Sequence, residues 1–129
     1  MLMFAFNFTF PLIVFMAVSI RTINVNGIPE FPKRKKVFNA LQQKQFDIYL
    51  LQETHLPDVE TGKLWEKQWG GRALWSPGTT RSAGVGLLVN PQSTVEITKF
   101  SIDTDGRVLT ANAKLHNNTL QIINVLRFK

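Results

Sequence analysis

With 129 residues, 44% of them hydrophobic, the chain has enough apolar material for one domain with a packed core and too little length to expect two. Its 15 Lys and Arg against 9 Asp and Glu give a net charge of +6, which favours a polyanionic partner such as nucleic acid or an acidic membrane surface. The absence of Cys excludes disulfides and Cys-held zinc, so any metal must be bound by oxygen ligands or His, an inventory that suits magnesium or manganese best.

The first 20 residues, MLMFAFNFTFPLIVFMAVSI, carry no ionised side chain, and a stretch of that size approaches the length that spans a bilayer. Ala17 and Ser19 are small residues of the kind found at signal-peptide cleavage points, but the positively charged start is lacking, and Asn7, Thr9 and Pro11 dilute a spanning helix. Residues 1–18 are therefore expected to form an apolar leader, either a targeting or membrane segment or an unrelated extension. The domain proper is expected over residues 19–129.

Within that domain, SIRTINVNGIP alternates Ile20, Ile23 and Val25 with polar residues and reads as a strand running into an Asn26-Gly27 turn. After Pro29 and Pro32, the run KRKKVFNALQQKQ sets Val37, Phe38 and Leu41 on one face, which predicts an amphipathic helix over residues 33–44. Residues 47–52 are almost wholly apolar and predict a strand covered on both faces. Strand, helix and strand in this order make a right-handed parallel βαβ unit, so both strands end at the same edge of the sheet. Asn26 and Glu53 then each lie just past a strand's C-terminal end, where open α/β sheets place their ligands.

Residues 65–81 read as a longer connection holding all three Trp, with a short strand near residues 72–75 followed by an exposed loop. Residues 84–89, 95–100, 107–115 and 119–125 are four short strand candidates, separated by the turn signals Asn90-Pro91, Asp105-Gly106 and Asn117-Asn118, and imply an antiparallel meander. In RVLTANAKL, Leu109, Ala111 and Ala113 alternate with Val108, Thr110 and Asn112, giving one buried and one wetter face.

Each chemical candidate has two readings. Glu53 is either an oxygen ligand anchoring a divalent ion that water and substrate phosphate otherwise surround, or a solvated loop residue. Asn26 either orients a ligand or a phosphate oxygen, or serves turn chemistry alone. His55 is a base or simply a residue entering the next loop. Lys33, Arg34, Lys35 and Lys36 either track a phosphate backbone or form a solvated helix face. Arg72, Arg81, Trp65, Trp69 and Trp75 match the basic and aromatic mixture used on single strands, or else the Trp residues are packing.

Taken in order, NVNGIP, an amphipathic helix, FDIYLLQETHLP, SAGVGLLV and GRVLTANAKL followed by LQIINV resemble the first part of the endonuclease/exonuclease/phosphatase family. The likeness is nearest to the apurinic-like endonuclease domains of LINE-type retrotransposons. It implies an α/β fold, a partial four-layer α/β sandwich with a βαβ start followed by an antiparallel meander. It also implies water-driven hydrolysis of a DNA phosphodiester with Mg²⁺ or Mn²⁺, in the nucleus or cytoplasm, or outside the cell if the leader is a true signal. By that resemblance Glu53 is the metal-binding Glu, Asn26 helps organise the metal and phosphate end of the site, and His55 belongs to the signature without a catalytic step.

The pattern is also departed from. Val125 is followed by Leu126 and not by a Tyr-containing segment, the sole Tyr is Tyr49, and no Asp-x-Asn or Asp-His pair occurs anywhere. The resemblance therefore predicts an N-terminal fragment, stopping about halfway, with its second sheet mostly absent, inactive by itself and marginally stable. Two alternatives accompany it: a non-catalytic basic nucleic-acid-binding remnant, or a small secreted or membrane-tethered basic protein reaching the membrane through residues 1–20.

Overall fold

The computed structural model describes residues 2–7 and 18–126 of the chain. The βαβ unit forms as the apolar spacing dictates. β2 (Ile20–Asn24) and β3 (Ile48–Gln52) pair in parallel, with Asn24 opposite Gln52, and α1 (Phe31–Lys44) connects them. Proline in its first turn fits this helix because that position has no intrahelical N–H bond to lose. The helix ends at Gln45 in a left-handed conformation, φ 61°. Phe38 and Leu41 are buried from α1, while β3 is buried at all five positions.

A second helix, α2 (Val59–Trp69), was not expected: it starts before the connection read over residues 65–81 and takes up its first residues, 65–69. Its signals are local. Asp58 accepts a hydrogen bond from the Thr61 N–H at 2.7 Å, and Gly70, at φ 85°, returns its N–H to Glu66 O at 3.0 Å. Thr61 and Gly62, weak helix formers, obscure the pattern. Gly62 is there for packing, since a Cβ on it would sit 3.1 Å from the Trp75 ring and 3.2 Å from Leu56.

β4 (Ala73–Ser76) matches the expected short strand, whereas β5 (Val85–Val89) leaves the expected meander. It pairs antiparallel with both β3 and β4, giving the order β2-β3-β5-β4. Every residue of β5 is buried, so it needs cover on both faces, and an interior position in the first sheet supplies it. β6 (Glu96–Ile102), β7 (Val108–Leu115) and β8 (Asn118–Val125) do form an antiparallel meander, and β7 buries Leu109, Ala111 and Ala113 as its alternation predicts.

β1 (Leu2–Asn7) extends this second sheet by pairing antiparallel with β8, Asn7 opposite Thr119, so its order is β1-β8-β7-β6. Most of the expected leader, residues 8–17, lies outside the described residues. No described helix is long and apolar enough to cross a membrane.

The expected shortfall in the second sheet is not observed. Ile48, Leu50 and Leu87 of the first sheet pack on Leu109, Leu120 and Ile122 of the second. On its other face the first sheet carries α1 and α2 through Phe38, Tyr49, Trp65, Trp69 and Leu88. The described residues thus build three layers, helices on sheet on sheet. Asn124 of β8, fully buried, ties the two sheets: its amide N–H groups donate to Leu51 O at 3.1 Å and Gly86 O at 2.9 Å, and its oxygen accepts from Gln52 Nε2 at 2.9 Å.

Candidate functional site

The parallel ladder of β2 and β3 continues beyond both strands. Val25 N donates to Gln52 O at 3.0 Å, Gly27 N to Glu53 O at 2.7 Å, and Ile28 N to Thr54 O at 3.0 Å. From the opposite side Thr54 N donates to Gly84 O at 3.0 Å and His55 N to Ala83 O at 2.9 Å. Residues 53–55 are therefore clamped between the turn after β2 and the segment leading into β5. A fourth segment joins where Gly84 N donates to Gly106 O at 2.9 Å, in the β6–β7 turn.

Six residues of this rim are left-handed: Asn26 (φ 51°), Gly27 (76°), Glu53 (57°), His55 (60°), Ala83 (60°) and Gly84 (93°). For a non-glycine residue that conformation costs about 1–3 kcal/mol and persists where its surroundings enforce it, most often at functional sites. Here the backbone bonds on both sides of residues 53–55 enforce it. Two glycines relieve the crowding: a Cβ on Gly27 would lie 2.4 Å from His55 Nδ1, and one on Gly84 2.3 Å from Thr54 Oγ1.

Glu53, whose side chain is 31% exposed, uses one carboxylate oxygen for both of its side-chain contacts: Oε2 accepts from Ala83 N at 3.1 Å and lies 3.0 Å from His55 Nε2. Oε1 has no hydrogen-bond partner among the described residues. Asn26 is exposed, its N–H accepted by Asn24 Oδ1 at 2.9 Å, and its side-chain amide has no described partner. Lys33 Nζ donates to Asn26 O at 2.9 Å, placing a cation at the lip of an open cleft of about 310 Å³ lined by Asn26, Gly27, Lys33 and His55.

This donor set suits a hard divalent cation of the kind held by one or two protein oxygens, water and phosphate. No group of three His, Asp or Glu able to enclose a metal occurs among the described residues. Asn26 and Glu30 line the cleft, and Glu53 follows β3 at the same sheet edge, joined to the cleft wall through the Gly27 N–H on its carbonyl and through His55 on its carboxylate.

The remaining sequence candidates divide. Arg34 leaves the basic cluster: it is buried, its Nη1 donates to Ile28 O at 3.0 Å and Pro29 O at 2.9 Å, and its guanidinium lies 4.6 Å from the Trp65 ring centroid. Burial pulls its pKa below the usual arginine value. Lys33, Lys35 and Lys36 stay exposed. Trp65 and Trp69 are 1% exposed, and Trp65 meets Trp75 edge to face at 5.5 Å, so the Trp residues are core and not a stacking platform. Arg81 is exposed in the loop before Ala83, while Arg72 lies over Phe100, 5.7 Å from its centroid.

Sequence reasoning missed two contributors. One is the Ala83 N–H, a backbone donor that no side-chain motif reveals. The other is Asp103, which accepts from Ser76 Oγ at 2.6 Å and from the N–H groups of Arg107 and Val108 at 3.2 Å, holding the β6–β7 turn that reaches Gly84. Burial raises the pKa of Asp103, but the Ser76 hydroxyl and the backbone donors outweigh it, leaving the carboxyl below the ordinary carboxylate value.

The model of the Endonuclease/Exonuclease/phosphatase family matches residues 22–123. The chain is 31% identical over 111 residues to the Transposon TX1 uncharacterized 149 kDa protein of Xenopus laevis, a match covering 85% of this chain and 8% of that protein.

Proposed function

The chain belongs to the endonuclease/exonuclease/phosphatase family, and on that premise we propose that residues 19–129 are a retrotransposon-type, Mg²⁺-dependent (or Mn²⁺-dependent) endonuclease-like unit directed at DNA, unable to hydrolyse it alone. The observation that carries this reading is Glu53 at the C-terminal end of β3, with Oε2 held by Ala83 and His55 and Oε1 without a partner among the described residues. Similarity to a transposon protein supports the retroelement branch.

In this reading Glu53 and Asn26 hold the cation, and Lys33 attracts the phosphate backbone. A bound divalent ion supplies Lewis-acid stabilisation of charge developing on the phosphate oxygens. Activation of water needs a base, and the motifs expected for it, Asp-x-Asn and Asp-His, do not occur in the 129 residues. Base catalysis alone commonly supplies about 10²–10⁴-fold, enough to separate a silent chain from a working one.

The test is nicking of supercoiled plasmid with Mg²⁺, beside Glu53→Gln and an EDTA control. The expected result is no nicking above the variant. Metal-dependent nicking lost in Glu53→Gln would refute the inactivity while keeping the site.

A second reading, non-catalytic binding of nucleic acid, is favoured by the net charge of +6. It predicts binding whose logarithmic affinity falls steeply with the logarithm of salt concentration, without cleavage.

A further inference from the structure

His55 has no step in the proposed chemistry, yet its ring is fixed on several sides. Its backbone N–H is held by Ala83 O at 2.9 Å, its Nδ1 edge lies against the Cα of Gly27, and its Nε2 is 3.0 Å from Glu53 Oε2. The backbone is left-handed, φ 60°, a conformation in which His is enriched among non-glycine residues. Two short sequence stretches are complementary here: the missing side chain of Gly27 makes the space that the His55 ring fills.

We infer that His55 is a positioning residue for Glu53: its Nε2–H donates to Oε2 and, together with the Ala83 N–H, pins that oxygen so that Oε1 is the one presented to a divalent cation. The inference rests on the proposed reading of Glu53 as a metal ligand. A carboxylate at a strand end turns freely about its side-chain torsions unless a second donor fixes it. With two donors on one oxygen, the rotation is stopped and the other oxygen keeps its lone pairs for the ion. Nδ1 has no hydrogen-bond partner among the described residues, whereas Nε2 has an acceptor in reach at 3.0 Å, so Nε2 is the nitrogen assigned the donor role.

Partners of this kind, behind a metal ligand, typically change metal affinity about 10–100-fold when removed. The experiment is a titration of the full chain with Mn²⁺ alone, read by water-proton relaxation without nucleic acid, for the unsubstituted chain, His55→Ala, His55→Gln and Glu53→Gln. Backbone amide spectra establish that each variant is folded. His55→Ala is expected to weaken Mn²⁺ binding by about tenfold or more. His55→Gln, whose amide can donate the same bond, is expected to recover most of it, and the ring nitrogen spectrum should show His55 protonated on Nε2. Unchanged binding in His55→Ala, with loss in Glu53→Gln, overturns the positioning role and leaves the metal reading standing. Unchanged binding in Glu53→Gln overturns the metal reading itself, and the inference falls with it. Should His55→Ala not fold, His55→Phe, a ring without a donor, decides beside His55→Gln: binding weakened in His55→Phe and kept in His55→Gln supports the role, and binding kept in both refutes it.

Discussion

Asp47 and Glu53 flank the same buried strand, one at each end of β3, and their surroundings are opposite. Asp47 Oδ2 accepts from Ser19 N at 2.9 Å and Ser19 Oγ at 3.1 Å, while Oδ1 accepts from Ser93 Oγ at 2.7 Å. The backbone joins in, with Asp47 N donating to Ser19 O at 3.0 Å and Asn90 N donating to Asp47 O at 2.9 Å. Both carboxylate oxygens are engaged, and the result is a knot that gathers the starts of β2 and β3 and the turn after β5. At the opposite end Glu53 has one oxygen engaged, on a rim of left-handed residues. One end of the sheet uses its carboxylate up in holding the fold. The other holds its carboxylate still and leaves half of it open.

The largest effect expected separates these two ends directly. Asp47→Ala strips three hydrogen bonds from a charged acceptor and should lower unfolding free energy by about 3 kcal/mol, whereas Glu53→Gln should change it by less than about 1 kcal/mol. Urea denaturation of the two variants measures this. Equal losses would erase the distinction.

Next comes the site rim. Gly27→Ala combines a left-handed backbone, φ 76°, with a Cβ 2.4 Å from His55 Nδ1. A loss of about 2 kcal/mol is expected, together with displacement of the His55 ring resonances. An unshifted ring would show that the contact is slack.

Asp103 supplies a third comparison, a carboxylate near the site that is nevertheless structural. Its folded pKa lies below the ordinary carboxylate value, so its contribution to stability is present above about pH 4 and is lost as pH falls through the folded value. Ser76→Ala removes its side-chain donor and should flatten the acid limb of a stability-against-pH curve. An identical limb would assign the acid response to other groups.

The smallest effect concerns strain away from the site. Gln45 is also left-handed, φ 61°, but it is an exposed helix cap near the Asp47 end. Gln45→Gly should stabilise the chain by about 0.5–1 kcal/mol and leave Mn²⁺ binding unchanged, as a thermal melt beside the relaxation titration would show.

Much of the fold was legible because local pattern and tertiary role agree. The parallel unit of β2, α1 and β3 follows from apolar spacing, and the inward face of β7 follows from strict alternation. β5 was readable as a strand but not as to its partner. A run buried on both sides demands an interior position, yet several sheets can offer one. α2 was missed because Thr61 and Gly62 are poor helix formers whose justification, the contact of Gly62 with Trp75, exists only in the folded chain. In the basic run Lys33, Arg34, Lys35 and Lys36 look alike, but Arg34 faces the Trp65 ring and the carbonyls of Ile28 and Pro29.

By itself the sequence determined that Asn26 and Glu53 follow parallel strands at one sheet edge, because period and chain direction are properties of consecutive residues. Which oxygen of Glu53 is open, that the His55 ring and the Ala83 N–H meet on the other one, and that the second sheet covers the first were decided by tertiary structure alone. Each depends on contacts between segments far apart in the chain, such as Ala83 with Glu53 and Asn124 with Leu51, which no local pattern encodes.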